Sequence, residues 1–282
     1  MTKGVKAIFQ DVDGCLNPVD GEEFGVVPDW RPSDQQVAML KEINALVERV
    51  SLEHFVINTG RPWPLVRNLV EFIPSPKLRY FLLEHACVLY DRVDQTYLDC
   101  SRIARDCGLP DLEGRYQRVG LINQLFDWYQ QSGRAQLEDY YGADLPALDK
   151  VANLSFAIPN EVDGDELLLH IEARVRDELD AADIDQLSFV RSSSYIDILP
   201  GVHKLDGVHL LAAYLDIDLD AAVAVGDYLN DLSVFQFFRR VHCPANAHPS
   251  IKALAQSKGR WGHVSSHPYG SSLIELLHSI GG

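Results

Sequence analysis

Two hydrophobic periodicities alternate along this chain. Residues 5–10 form a short apolar run closed by acidic and glycine residues, the pattern of a buried strand that delivers side chains at its C-terminal end. Ser33 then offers an N-cap to a helix whose apolar positions Val37, Leu40, Ile43, Val47 and Val50 recur at three or four residues, enough to cover one face of a sheet. Residues 54–58 predict a second strand. It runs into Thr59-Gly60-Arg61-Pro62, where glycine permits a tight turn and proline suits a first helical position. Residues 79–83 predict a third strand.

Past residue 90 the alternation breaks. An aspartate- and arginine-rich stretch over 91–115 leads into a predicted helix at 119–129, a strand at 151–158 and an amphipathic helix at 165–179, a mixture that reads as a separate α+β unit. Residues 192–199 read as a strand. From Lys204 the strand and helix alternation resumes, with helices predicted at 205–215, 229–238 and 249–256 and strands at 221–225 and 241–243. The fold class expected is therefore α/β, a doubly wound Rossmann-like parallel sheet at 1–86 and 191–282 with an inserted domain at 87–190. No internal repeat or low-complexity tract interrupts it.

Composition narrows the function classes. The 282 residues are 46% hydrophobic and 23% charged, with 25 basic against 41 acidic side chains and a net charge of −16. Such a balance argues against nucleic acid and anionic lipid as partners, while a small anion can still bind if a metal and a few local cations reverse the field. No apolar run approaches the 18 or so residues that a bilayer requires, and the apolar stretch before Asp11 is too short for a secretory leader, so the expected location is the cytoplasm. Five cysteines without a Cys-x-x-Cys pair read as reduced thiols. The pairs Cys243 with His248 and His263 with His267 lack partners at zinc-site spacing.

Candidate chemistry collects in four clusters, each at or near a predicted strand end. Asp11-Val12-Asp13-Gly14 places two carboxylates at one strand mouth, a costly arrangement without a cation. An Asx turn would explain it as well, whereas a calcium loop fits poorly because Cys15, Leu16 and Asn17 do not continue the carboxylate spacing. Thr59-Gly60-Arg61 brings a hydroxyl, backbone amides and a guanidinium that suit an anion, or a plain helix cap. Lys204 stands at a helix start, where the dipole disfavours a cation; it is either a surface lysine or a neutralising one. Gly226-Asp227-Tyr228-Leu229-Asn230-Asp231 puts two more carboxylates beyond a strand, where Asp227 could also act as a cap. In an open α/β sheet, ligands gather outside the carboxyl ends of the strands, so the four clusters gain weight together.

In this order, the four clusters resemble the haloacid dehalogenase-like phosphohydrolase superfamily. The placement of the insertion between the second and third resembles its branch with a type-two cap, subclass B. Leu83-Glu84-His85-Ala86 and Asn246-Ala247-His248-Pro249 add to the likeness, which spans 1–86 and 191–282. Cys15, His85, Ala86, Leu205 and Asp206 depart from the usual residues without removing a catalytic group. The resemblance implies an Mg²⁺-dependent phosphatase that acts on a small phosphorylated metabolite, a sugar phosphate above all, through an aspartyl phosphate. It implies Asp11 as nucleophile and Asp13 as general acid and base, with Thr59 and Lys204 holding the phosphoryl group. Asp11, the Asp13 carbonyl, Asp227 and Asp231 would hold the metal. Gly60, Arg61 and Asn230 are implied as substrate or positioning contacts, Asn230 by orienting Lys204 or its loop. A phosphomutase of the same branch, or a silent phosphate-binding module, remains the alternative. The inserted domain would select the substrate.

Overall fold

The computed structural model describes residues 4–17, 33–142, 144–145, 147–191 and 195–281. Contacts divide the chain into two units, one of residues 1–98 and 204–282, the other of residues 99–203. The first unit is built on an eight-stranded sheet. Its strands are β1 (Ala7–Gln10), β2 (His54–Asn58), β3 (Tyr80–Leu83), β4 (Val88–Asp91), β5 (Thr96–Leu98), β9 (Ala222–Val225), β10 (Arg240–Cys243) and β11 (Gly262–Val264). They lie in the order β11-β10-β9-β1-β2-β3-β4-β5. Pairing is parallel from β11 to β3, and β4 and β5 append an antiparallel meander.

Every residue of β1, β3 and β9 is buried, as expected of strands covered on both faces. One cover is α1 (Asp34–Arg49), which turns Leu40, Ile43, Leu46 and Val47 inward. Ser33 caps it through a reciprocal pair with Gln36. The helices α2 (Trp63–Val70), α9 (Lys204–Leu215), α10 (Leu232–Phe237), α11 (Pro249–Ser257) and α12 (Tyr269–Gly281) complete the unit. The helix read at 229–238 begins instead as a single 3-10 turn, Leu229–Asp231, before α10.

The second unit holds α3 (Cys100–Asp106), α4 (Pro110–Tyr116), α5 (Val119–Trp128), α6 (Arg134–Tyr141), α7 (Gly164–Glu178) and α8 (Ala181–Ile184). Beside them runs a three-stranded antiparallel sheet of β6 (Leu154–Ala157), β8 (Tyr195–Leu199) and β7 (Ser188–Arg191). One π turn, Tyr129–Gly133, joins α5 to α6. Leu154, Phe156, Ile196 and Ile198 point from one sheet face into an apolar cluster with Ile122, Leu125, Leu167, Ile171 and Val175.

Both domain boundaries differ from those read in the sequence. The core runs to Leu98 rather than residue 86, because β4 pairs onto β3 and β5 onto β4. It resumes at Lys204 rather than 191, because Tyr195–Leu199 pairs with β6 and β7; residues 192–194 of that expected strand lie outside the described residues. Strand composition says that a segment is extended, whereas its partners are chosen by hydrogen bonds to distant residues.

Candidate active site

Three parallel neighbours, β9, β1 and β2, end side by side and carry the first, second and fourth sequence clusters beyond their carboxyl ends. Asp11 leaves β1 with its N–H donating to the Val225 carbonyl (3.0 Å), so the first and fourth clusters are tied through the backbone. Past it the chain curls tightly, with the amides of Cys15, Leu16 and Asn17 all donating to the Val12 carbonyl. Gly14 sits at φ +69°, and a Cβ on it would collide with the Asp227 carboxylate. A side chain is excluded there twice over, by backbone conformation and by contact.

Lys204, at the start of α9, is the centre of the arrangement. Its Nζ lies 2.7 Å from Asp11 Oδ2 and 2.7 Å from Asp231 Oδ1, and the side chain is 1% exposed. Asn58 Nδ2 donates to its main-chain carbonyl (3.3 Å), fixing the helix start against β2. The surface reading of Lys204 is thus excluded by its burial. Asp231 gives its other oxygen to the amides of Asp227 (3.1 Å) and Tyr228 (3.5 Å), closing the 3-10 turn. His248 donates its amide to the Asp227 carbonyl (2.8 Å), and Asn246 Nδ2 donates to the Gly14 carbonyl (2.8 Å).

Asp11, Asp227 and Asp231 are all buried, and each offers an oxygen within 4.8 Å of the others. Three carboxylates face one ammonium, so two negative charges go uncompensated. Burial pushes the Asp11 carboxyl well above its ordinary range; Lys204 opposes the shift, and Asp231 and Asp227 add to it. Burial and the neighbouring Asp231 raise Asp227 to about 7. Lys204 is also raised: burial pulls its pKa down, but Asp11 and Asp231 outweigh that and hold it above its usual range, so it stays charged. Such a set fits a divalent cation, which supplies the missing positive charge to hard oxygen ligands. Asp227 is the member least committed to protein hydrogen bonds, since its Oδ1 accepts only the weak Cys15 thiol at 3.8 Å. Burial, and then Asp227, push that thiol far above its ordinary range, so Cys15 is a poor nucleophile.

Asp13 stands apart from this group. Arg61 grips both its oxygens, with Nε at 3.0 and 2.8 Å and Nη2 at 2.6 Å. Arg61 is held in turn by its amide, which donates to Thr59 Oγ1 (3.2 Å). Thr59 is fully buried, its amide donating to Leu82 and its carbonyl accepting from His85. Gly60 leaves room for the His85 ring, which lies 2.7 Å from where a Cβ would be. Among the described residues Asn230 makes no hydrogen bond to Lys204, and its buried Oδ1 has no partner; Lys204 is held by Asp11, Asp231 and Asn58.

Sequence reading gave no role to Asn58 or Cys15, and it treated 84–86 and Asn246 only as points of likeness. Glu84, His85 and Ala86 take φ values of 51, 58 and 71°, three consecutive left-handed residues without a glycine. Each costs roughly 1–2 kcal/mol, strain of the kind that concentrates at functional sites. An apolar run ending in Glu-His-Ala carries no turn residue, so local signals could not reveal it.

A family model described as haloacid dehalogenase-like hydrolase matches residues 134–259, a span that holds Lys204, Asp227 and Asp231. A protein of Metamycoplasma hominis, provisionally named a phosphatase of the upp 3′ region, is 31% identical over 236 residues, which cover 76% of this chain and 81% of that protein. Among solved structures, the sucrose-phosphatase of Synechocystis, determined with sucrose and phosphate, shares the fold at a TM-score of 0.61 and 15% identity over 98% of each chain. A protein of Thermoplasma acidophilum does so at 0.60 and 17%, over 98% of each chain. A subclass IIB sugar phosphatase of the same superfamily matches at 0.58 and 14%, over 98% of this chain and 99% of its own. With the carboxylate and lysine cluster at the strand ends and a relative that aligns over most of both lengths, the chain belongs to the haloacid dehalogenase-like hydrolases.

Proposed function

We propose that this protein is an Mg²⁺-dependent phosphatase of small phosphorylated metabolites, sugar phosphates above all, working through an aspartyl phosphate. The observation that carries the reading is the buried Lys204 shared by Asp11 and Asp231 at the mouth of β1. Lys204 aims Asp11 and opposes the upward push of burial on its carboxyl, and together with the cation it would hold Asp11 ionised, the condition for a carboxylate nucleophile. Attack by an Asp11 oxygen on phosphorus forms the acyl phosphate as the ester oxygen leaves. Asp13 gives that oxygen its proton, then takes one from the water that hydrolyses the intermediate.

The Arg61 fork occupies both Asp13 oxygens, so Asp13 can serve only once Arg61 lets go. An arriving phosphoryl group, a better partner for a guanidinium, supplies the reason to do so. The Thr59 hydroxyl and the Gly60 amide are assigned to the phosphoryl oxygens, since the amides of Thr59 and Arg61 are already engaged. Asp11, Asp227 and the Asp13 carbonyl are assigned to the metal, with Asp231 reaching it directly or through water. Bound there, Mg²⁺ offsets the charge of phosphate and carboxylates together.

The second unit, residues 99–203, is assigned the choice among phosphate esters. On its sheet, the face turned away from the apolar cluster carries Ser155 and Asp197, and a buried network there sets Lys150 Nζ 2.7 Å and Asn153 Nδ2 2.9 Å from Asp197.

An activity assay on a panel of phosphometabolites with and without Mg²⁺ tests the reading, with Asp11→Asn as control. Asp11→Asn should abolish phosphate release, because an amide cannot form the acyl phosphate, while leaving the fold intact. Turnover by Asp11→Asn near the unsubstituted rate would overturn the nucleophile, and phosphoryl label returned to sugar instead of water would mark a phosphomutase.

A further inference from the structure

The charge of this chain is unevenly spread. Residues 232–274 contain no aspartate or glutamate but hold Arg239, Arg240, Lys252, Lys258 and Arg260, leaving −21 on the rest of the protein. Three of these cations gather on one ring. The guanidinium carbons of Arg239, Arg260 and Arg240 lie 4.0, 4.7 and 5.2 Å from the centroid of Trp261. No two are therefore farther apart than about 10 Å, roughly one Debye length in dilute salt, and they repel one another. The indole face offsets part of this. Among the described residues, none of the three forms an ion pair, and Nε and Nη1 of Arg240 are buried without an acceptor. Unmet guanidinium donors are expensive, and an oxyanion is what relieves them.

The place is remote from the carboxylate cluster. Arg240 opens β10 opposite Val223, and Trp261 precedes Gly262, which pairs with Val241. The cluster therefore lies at the amino-terminal edge of the parallel strands, whereas Asp227 follows Val225 at the carboxyl-terminal edge.

We propose that Arg239, Arg240 and Arg260, arrayed on Trp261, form a second anion site that takes one compact phosphate-type oxyanion, either free or as the phosphate of a small metabolite. Three guanidinium groups within about 10 Å of one another offer enough donors for the three or four oxygens of such a group. A long polyanion fits worse, because it would have to lie against the strongly negative remainder of the chain. The inference is independent of the proposed activity.

Titration of the full chain with inorganic phosphate, Mg²⁺ present throughout, tests it through tryptophan fluorescence. The difference between the unsubstituted protein and Trp261→Phe isolates the response of this ring, since phosphate at the carboxylate cluster affects both alike. A saturable difference signal is expected, with Kd on the order of 1 mM or tighter. Arg240→Gln and Arg260→Gln should each weaken it at least tenfold at unchanged Tm. Arg240→Lys, which keeps the charge but loses the fork, should weaken it nearly as much, and Lys258→Gln less than threefold. Hydrolysis at saturating substrate should not change in any of them. A linear response, equal affinity in Arg240→Lys, or saturable binding of heparin without saturable binding of phosphate would each overturn the site.

Discussion

Lys204→Met tests the charge logic of the site directly, because methionine keeps most of the volume of the lysine stem and removes only the ammonium. In the folded protein, that ammonium lies 2.7 Å from Asp11 and 2.7 Å from Asp231. With charge centres about 4 Å apart and an effective dielectric near 20, each pair is worth roughly 4 kcal/mol gross. Returning the lysine to an apolar form recovers several kcal/mol of desolvation, so the net loss should be about 3–5 kcal/mol, the usual cost of breaking a buried pair from one side. That is a large share of a total stability of roughly 5–15 kcal/mol.

Urea unfolding in chelator should show this loss, and Mg²⁺ should restore a good part of it by pairing with the same carboxylates. Asp231→Asn in the Lys204→Met background returns the buried charge to the two negatives of the unsubstituted protein. The double variant should therefore be more stable than Lys204→Met alone, a coupling that only interacting residues give. Turnover should be lost in both. Lys204→Met with unchanged stability in chelator, or a double variant whose losses simply add, would refute the argument.

Two further outcomes follow from the same geometry. Asp227 has a folded-state pKa of about 7, above the unfolded carboxylate value near 4, so its contribution to stability is full below pH 4 and is lost as pH rises through 7; Asp11, raised by burial, acts in the same direction. Metal-free protein should accordingly lose Tm between pH 5 and 8.5, and the gain from Mg²⁺, read by thermal melts at each pH, should grow over that window; a gain independent of pH would contradict it. Gly14→Ala forces a side chain into a φ of +69° and against Asp227. It should weaken Mg²⁺ binding at least tenfold by calorimetry and cost about 1–2 kcal/mol or more of stability, and an unchanged Mg²⁺ affinity would show that Asp227 is not held by this contact.

Much of the site was legible in the sequence because its chemistry is local. A buried parallel strand must release its polar residues at its end, so Asp11, Thr59 and Asp227 could be placed at one sheet edge from apolar runs and the residues that stop them. The order of the clusters then pointed to one superfamily. Other features depended on pairings across long separations. That Lys204 is buried, shared by Asp11 and Asp231 and steadied by Asn58, arises from α9 starting where β1, β2 and β9 end; a lysine at a helix start looks the same when it is solvated. The Arg61 fork on Asp13 spans 48 positions. The left-handed run at 84–86 is held by the amides of Glu84 and His85, bonded to the carbonyls of Arg61 and Thr59. Tyr195–Leu199 belongs to the second unit because β6 and β7 supply its hydrogen bonds. Local pattern fixes what a segment becomes, while the burial and partners of a charged side chain are settled only when distant segments exclude water together.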